Sequence, residues 1–284
     1  MEFQGRPVGC VAARDNEHEA VNYDQVFVRD FVVAGLAFLL EGRTEIVRNF
    51  LHEVLQLQNR KVVKSCFKPA AGAMPVSFKV DRGADGEQVT ADYGEKAIGR
   101  VAPVDSVFWW LMLLRAYRKA SGDNAFIAQE DVQEGIRRIL DLVLQPRFDM
   151  FPTLFVPDGS FMIDRRLGVY GHPIDIQVLF FAGLRAAREL LTEVPENEAY
   201  RKVAAERLGH LKRFIGTNYW LDLDRVNDIY RYAVEGYGAD AKNMFNIYSD
   251  SVPDWLLRWL PPDAGYFMGN LGPGRMDFRF FTFG

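Results

Sequence analysis

The sequence predicts an all-α chain folded as an (α/α)6 toroid, present as about three helical hairpins and the start of a fourth, with small β-hairpins in the loops. Three observations carry that expectation. Six stretches have apolar residues at helical spacing. They alternate between helices apolar nearly all round and helices apolar along one stripe. The segments leading from a striped helix to the next all-apolar one are long and partly extended. A helix apolar on every side is a buried one, whereas a striped helix lies at a surface. Strict alternation therefore means hairpins in which an inner helix is followed by an outer one, and such hairpins repeated around an axis wall a central cavity. An irregular α bundle is the plainer alternative, and it requires no alternation.

The first inner helix is expected over Gln25 to Glu41, where Phe27, Val28, Phe31, Val32, Val33, Leu36, Phe38 and Leu39 leave no polar face. Thr44 to Gln58 follows as an outer helix, with Ile46, Val47, Phe50, Leu51, Val54 and Leu55 opposed by Glu45, Arg48 and Glu53. The second inner helix begins at Pro103 and carries eight apolar residues in succession from Val107 to Leu114. Its outer partner runs near Asp131 to Leu144, with Val132, Ile136, Ile139, Leu140 and Val143 against Glu134, Arg137, Arg138 and Asp141. The third pair is His172 to Leu191, apolar all round, and about Glu196 to Tyr219, polar with a thin stripe of Val203, Leu208, Leu211, Phe214 and Ile215. Between them, Ser77–Val80 and Gln88–Ala91 flank a turn and read as a hairpin, as do Thr153–Val156 and Ser160–Ile163 around Pro157-Asp-Gly159. Met276 onward reads as the start of a seventh helix. Three hairpins make half a ring of six, so one catalytic domain over 1–284, truncated at its C-terminal side, is the expectation.

Composition narrows the function classes. Of 284 residues, 49% are hydrophobic and 25% charged, which is globular and excludes disorder. The 34 basic and 38 acidic residues give a net charge of −4, against a nucleic-acid binder that relies on bulk charge. Two cysteines, Cys10 and Cys66, stand far apart and fit a reducing compartment. Four histidines form no metal-binding spacing, so neither a metal nor another cofactor is expected. The longest apolar run, Phe31 to Leu40, has ten residues, too short to span a bilayer. A cytoplasmic location is the default, with an organelle open if a targeting segment precedes Met1, and homo-oligomer formation is left open.

Acidic side chains gather at helix entrances and in the connecting loops. Tyr23, Asp24, Arg29 and Asp30 surround the first inner helix entrance; Asp105 and Trp109 open the second; His172, Asp175 and Gln177 open the third; Arg165 and Asp228 lie in loops. Each has a plain reading. Asp105 and Asp175 are good first-turn or capping acids, Asp24 with Arg29 or Asp164 with Arg165 are ordinary ion pairs, and Trp109-Trp110 is core. Their shared location argues for more. If the inner helices enter from one end, carboxylates, guanidinium groups, an imidazole, an amide and aromatic rings converge on one mouth. That mixture suits a polyhydroxylated ligand, with acceptors for hydroxyl pairs and flat faces for C–H surfaces. Two carboxylates across a glycosidic bond would hydrolyse it. No Gly-x-Ser-x-Gly elbow or phosphate loop appears, Gly269–Gly274 reads as a turn, and a terpene-cyclase-like chemistry lacks its Asp-Asp-x-x-Asp motif.

Gly5–Gly9, Asn22–Phe31, Ile98–Ser106 with Phe108–Trp110, Asp164–Pro173, Asn227–Tyr232 and Arg275–Arg279 together resemble the alkaline/neutral invertases of plants and cyanobacteria, in order over essentially the whole chain. The resemblance implies an (α/α)6 toroid that hydrolyses sucrose to glucose and fructose by inversion and without a metal. It places the general acid on Asp105, which must be neutral at working pH, and burial beside Phe108 and Trp109 would push its pKa that way. It implies that Tyr23, Asp24, Arg29, Asp30, His172 and Gln177 shape the sugar pocket, and it offers no counterpart of the catalytic base before Gly284. Val107 stands where that family usually has glycine, and Asp175 where it usually has glutamate. A non-catalytic sugar-binding fragment or pseudoenzyme is the alternative.

Overall fold

Strand β1 (Glu2–Phe3) pairs with β2 (Arg6–Pro7), and β3 (Val26–Phe27) leads directly into α1 (Val28–Leu40) and then α2 (Thr44–Gln56). A long hairpin, β4 (Ser77–Gly83) and β5 (Gly86–Asp92), adds β3 on its other edge. Next come α3 (Ser106–Ser121), the single turn α4 (Asn124–Ile127) and α5 (Glu130–Val143). The third unit is β6 (His172–Pro173), α6 (Ile174–Leu190) and α7 (Pro195–Asn218), followed by β7 (Trp220–Asp222), α8 (Asp254–Trp259), β8 (Gly265–Phe267), β9 (Asn270–Leu271) and β10 (Phe278–Arg279). These come from a computed structural model, which describes residues 1–11, 23–62, 69–84, 86–95, 104–144, 150–157, 171–222, 224, 254–272 and 278–279.

α1, α3 and α6 form an inner row, α1 against α3 and α3 against α6, with α2, α5 and α7 outside it. The inner helices run parallel. Arg29 meets Asp105 and Gly35 meets Leu113, so contacts advance along α1 and α3 together. Phe108 meets Phe180 and Gly183, and Arg115 meets Glu189, so α3 and α6 advance together as well. All three N-termini therefore lie at one end. This is a partial α/α toroid, as the alternation of helix types predicts.

Glycine sets how closely the rows approach. A Cβ on Gly183 would sit 2.6 Å from Phe108 Cδ1, and one on Gly135 would sit 2.4 Å from Leu55 Cδ1, so both positions are filled by a neighbour's side chain. Between the rows lies a dry core: Phe31 stacks on Phe50 with ring centroids 4.0 Å apart, and Trp110, wholly buried, donates its Nε1–H to the Leu51 carbonyl at 3.0 Å. Buried amides tie the loops to this core. Gln133 donates to the Ile127 and Leu190 carbonyls and accepts from Thr192 N and Asn197 Nδ2, which satisfies helix-end carbonyls that burial would otherwise leave unpaired. Gly122 closes α3 in the left-handed conformation, φ 70°, that its missing side chain permits.

Several expectations are corrected. α1 is not buried on every side: Val33 is 74% and Leu40 92% exposed, with Leu36 and Ala37 beside them at helical spacing. Its apolar composition reports two flanks filled by α2 and α3 and a third flank open. Of the seventh helix expected from Met276, only Phe278–Arg279 is described, and those two residues pair instead as a strand with Asn270–Leu271 in the sheet β10-β9-β6. An apolar aromatic run has no periodicity that separates strand from helix. The hairpin at 77–91 is present, whereas of the one expected at 153–163 only Thr153–Val156 is described, with Val156 bridging Gly171; the other strand lies outside the described residues.

Candidate active site

The shared N-terminal end of α1, α3 and α6 gathers most of the candidate residues. Asp105 takes the N-cap position of α3, where a carboxylate ordinarily accepts from the first-turn amides, yet it makes no side-chain cap bond. It turns to two other donors: Arg29 Nη1 lies 3.1 Å from Asp105 Oδ2, and Trp109 Nε1 donates to the same oxygen at 3.0 Å. Asp105 is 1% exposed, and burial raises its pKa against the opposing pull of Arg29 and of the Trp109 hydrogen bond. A carboxyl held in this way keeps its proton beyond the ordinary carboxylate range, as a general acid must. The spacing of Asp105 and Trp109, four residues apart in one helix, is the sequence signal for their contact.

The entrance and first turn of α6 bring three more candidates. His172, wholly buried, packs edge-on against Phe155 with centroids 5.6 Å apart, and its carbonyl accepts the Tyr219 hydroxyl at 2.6 Å. Asp175, in the first turn, is half-buried, and its pKa is raised by desolvation. Its Oδ2 is fully buried and has no hydrogen-bond partner among the described residues. Gln177 is occupied otherwise: its amide accepts from Leu154 N at 2.8 Å and donates to the Leu154 carbonyl at 2.9 Å, as a strand backbone would. With no exposure, its described contacts hold a loop.

Tyr23 and Asp24 are exposed in the turn before β3, and Asp30 is exposed in the first turn of α1 beside Arg29. Arg165 and Asp228 lie outside the described residues. The sequence did not mark the segment 268–271 as part of this end, although it closes over the start of α6. Ile174 N donates to the Gly269 carbonyl at 3.0 Å, and β9 pairs His172 with Leu271 and Pro173 with Asn270, which is wholly buried. No local pattern signals a contact made across nearly a hundred residues.

A family model described as alkaline and neutral invertase matches residues 1–284. Among curated proteins, the chain is 52% identical over 290 residues to one named neutral/alkaline invertase 3, chloroplastic, from Oryza sativa subsp. japonica, a match covering 99% of this chain and 48% of that protein. It is 51% identical over 286 residues to probable alkaline/neutral invertase A, chloroplastic, from Arabidopsis thaliana, covering 98% of this chain and 45% of the relative. Cytosolic invertase 1 of Oryza sativa subsp. japonica is 51% identical over 285 residues, covering 99% and 51%. The chain thus spans about half the length of the curated relatives it matches.

Proposed function

The chain belongs to the alkaline and neutral invertase family, and from that premise we propose that it supplies the acid side of an inverting sucrose hydrolase that releases glucose and fructose. One observation supports this reading above the others. Asp105 is a buried carboxyl with a raised pKa, joined to one cation and one indole donor at the entrance of the inner row. In an inverting cleavage the acid gives its proton to the bridging oxygen as the bond breaks, and a separate carboxylate activates water on the opposite face. Asp105 takes the first role. Its proton transfers as the leaving sugar departs, and Arg29 and Trp109 stabilise the carboxylate that results. The base is assigned to a segment outside residues 1–284, for which the family resemblance finds no counterpart within them.

In this reading residues 1–284 form part of one catalytic α/α domain. Tyr23, Asp24, Asp30, His172, Asp175, Arg165 and Asp228 contact the sugar hydroxyls. Gln177 acts one step removed, by holding the Leu154 loop. Relatives carry the words chloroplastic, mitochondrial and cytosolic in their names; the cytosol is the location proposed here, and a fluorescent fusion found in an organelle would contradict it. No helix among the described residues is long and apolar enough to cross a membrane.

The test is sucrose hydrolysis by purified 1–284, alone and joined to the remaining part of a full-length relative. The joined protein should turn over, and Asp105→Asn in it should lose about 100- to 10,000-fold in kcat while sucrose still binds. Near-normal turnover in that variant removes Asp105 from the acid role. Robust hydrolysis by 1–284 alone places the base within these residues and overturns its assignment. Sucrose binding by the joined protein without turnover would favour the second reading, a non-catalytic sugar-binding chain.

A further inference from the structure

At the end of the inner row opposite Asp105, three cationic side chains gather around the carboxylate of Glu189 and a fourth binds its backbone carbonyl. Arg115 grips Glu189 with two donors, its Nη2 at 3.1 Å from Oε1. Arg185 Nε lies 3.3 Å from the same oxygen, and Lys119 Nζ lies 4.0 Å from Oε2. Arg118 is held differently, by neutral acceptors: its Nη1 donates to the Glu189 carbonyl at 2.7 Å and its Nε to Asn124 Oδ1 at 2.9 Å. Its guanidinium is thus fixed in place without a counter-charge, and its Nη2 remains to donate. Arg115, Arg118, Lys119, Asn124, Glu189 and Leu190 line a cavity of about 190 Å³.

Structural roles account for only part of this charge. The Arg115 hydrogen bond holds the Glu189 carboxyl below its ordinary range, so it carries a full negative charge at neutral pH. The C-termini of α3 and α6 each present roughly half a negative charge, which cations in the last turn complement. Glu189 and the two helix ends together offset about two of the four positive charges. About two remain over the whole cluster and about one among Arg115, Arg118 and Lys119, which line the cavity, a net positive site for a phosphate monoester of charge roughly −1.5 to −2 near pH 7. The volume is below the roughly 300–1,000 Å³ of pockets that enclose larger ligands. A planar guanidinium with a free nitrogen, beside an ammonium, is the donor pair that phosphate oxygens take.

We propose that this cavity binds a small phosphate, inorganic or as a monoester, independently of the sugar site. Arg118 and Lys119 hold its oxygens, and Glu189 competes with it for Arg115. The ligand would clamp α3 to α6 about 20 Å from Asp105, given a rise of about 1.5 Å per residue.

The experiment is calorimetric titration of the 284-residue chain with inorganic phosphate and with methyl phosphate, each against sodium chloride at matched ionic strength. Saturable binding is expected, with a rise in Tm that chloride does not reproduce. Arg118→Ala should weaken binding at least tenfold. Lys119→Gln, at a side chain 61% exposed, should weaken it several-fold and keeps the test open if the arginine variant fails to fold. Glu189→Gln should bind several-fold tighter, because it removes the competing carboxylate. A cluster serving only to anchor Glu189 gives the opposite pattern, with a lowered Tm and no gain in phosphate affinity. That result, or the absence of saturable binding to the native chain up to 10 mM, overturns the proposal. Equal affinity for the two probes identifies the phosphate group itself as the ligand, and tighter methyl phosphate identifies an ester.

Discussion

Arg29 on α1 and Asp105 at the start of α3 meet across 76 residues of sequence, Nη1 to Oδ2 at 3.1 Å, the arginine partly exposed and the aspartate buried. Desolvation raises the Asp105 pKa, and the Arg29 charge is the largest influence opposing it. Removing the cation should therefore drive the carboxyl further up. In a 13C-carboxyl titration of the 284-residue chain, Asp105 should titrate above the ordinary aspartate range, and Arg29→Ala should move it higher still. A downward shift in that variant would mean that Arg29 does not act on Asp105 as a counter-charge.

The same raised pKa makes a claim about stability. A carboxyl with a folded pKa above its unfolded value holds its proton more tightly when folded. Its stabilising contribution is whole below the ordinary aspartate pKa near 3.9 and is lost as pH rises through the folded value. Asp105→Asn keeps a neutral side chain of the same shape at every pH. The variant should be more stable than the native chain at pH 8 in urea unfolding, with the difference shrinking toward pH 4. Arg29, 29% exposed at its side chain, can be hydrated when it loses its partner. A variant equally destabilised at both pH values would contradict the linkage.

Gln177 separates positioning from contact. Its amide makes both bonds to the Leu154 backbone and a third, at 3.3 Å, to the Pro173 carbonyl. Gln177→Ala leaves the Leu154 N–H and carbonyl unpaired, which should cost about 1–3 kcal/mol in thermal or urea unfolding. Sucrose affinity measured well below the Tm should change far less than stability does. A variant of native stability with lost sugar binding would make Gln177 a sugar contact after all.

The open flank of α1 is a surface effect with a measurable signature. Val33, Leu36, Ala37 and Leu40 form a stripe at helical spacing with no polar residue among them. Exposed apolar stripes promote association. Leu36→Glu with Leu40→Glu should reduce dye binding and self-association of the 284-residue chain in light scattering, while moving stability by about 0.5 kcal/mol or less per site. A loss of several kcal/mol would show that the flank is packed in solution.

How much of this was legible in the sequence depends on the range of the interaction. The helices were, because amphipathic spacing is local: α2 and α5 lie within two residues of the expected ends, and α3 and α6 begin at the proline-bearing entrances. The β4–β5 hairpin was legible for the same reason. Asp105 fits both a cap and an acid on sequence, and spacing does not separate the two. The partner that occupies its carboxylate, Arg29, is brought in by the fold from another hairpin. The position of Gln177 groups it with the mouth, but the partner that occupies it, Leu154, lies in a stretch whose sequence signals a hairpin and not this contact. The exposed face of α1 follows from how many neighbours the helix has, and composition does not encode that number.

Gly183 tests whether the inner row positions Asp105 by packing. A Cβ at that position would lie 2.6 Å from Phe108 Cδ1 and 3.4 Å from Phe108 Cβ, and Phe108 is buried against Phe180 three residues beyond Asp105. The contact is with the near part of a buried ring packed against Phe180, so the added methyl forces either the rotamer or the helix separation to change. Overpacking of this kind costs about 1–3 kcal/mol. Gly183→Ala should lower stability by that amount in urea unfolding. If α3 shifts to relieve the clash, the geometry of the Arg29–Asp105 pair changes with it, and the Asp105 titration midpoint should move. Gly216, where an added Cβ meets nothing within 4 Å, is the control: Gly216→Ala sits inside α7, should stabilise it by about 1 kcal/mol through helix propensity, and should leave the Asp105 titration unchanged. Equal effects of the two substitutions would show that the α3–α6 contact does not hold Asp105 in place.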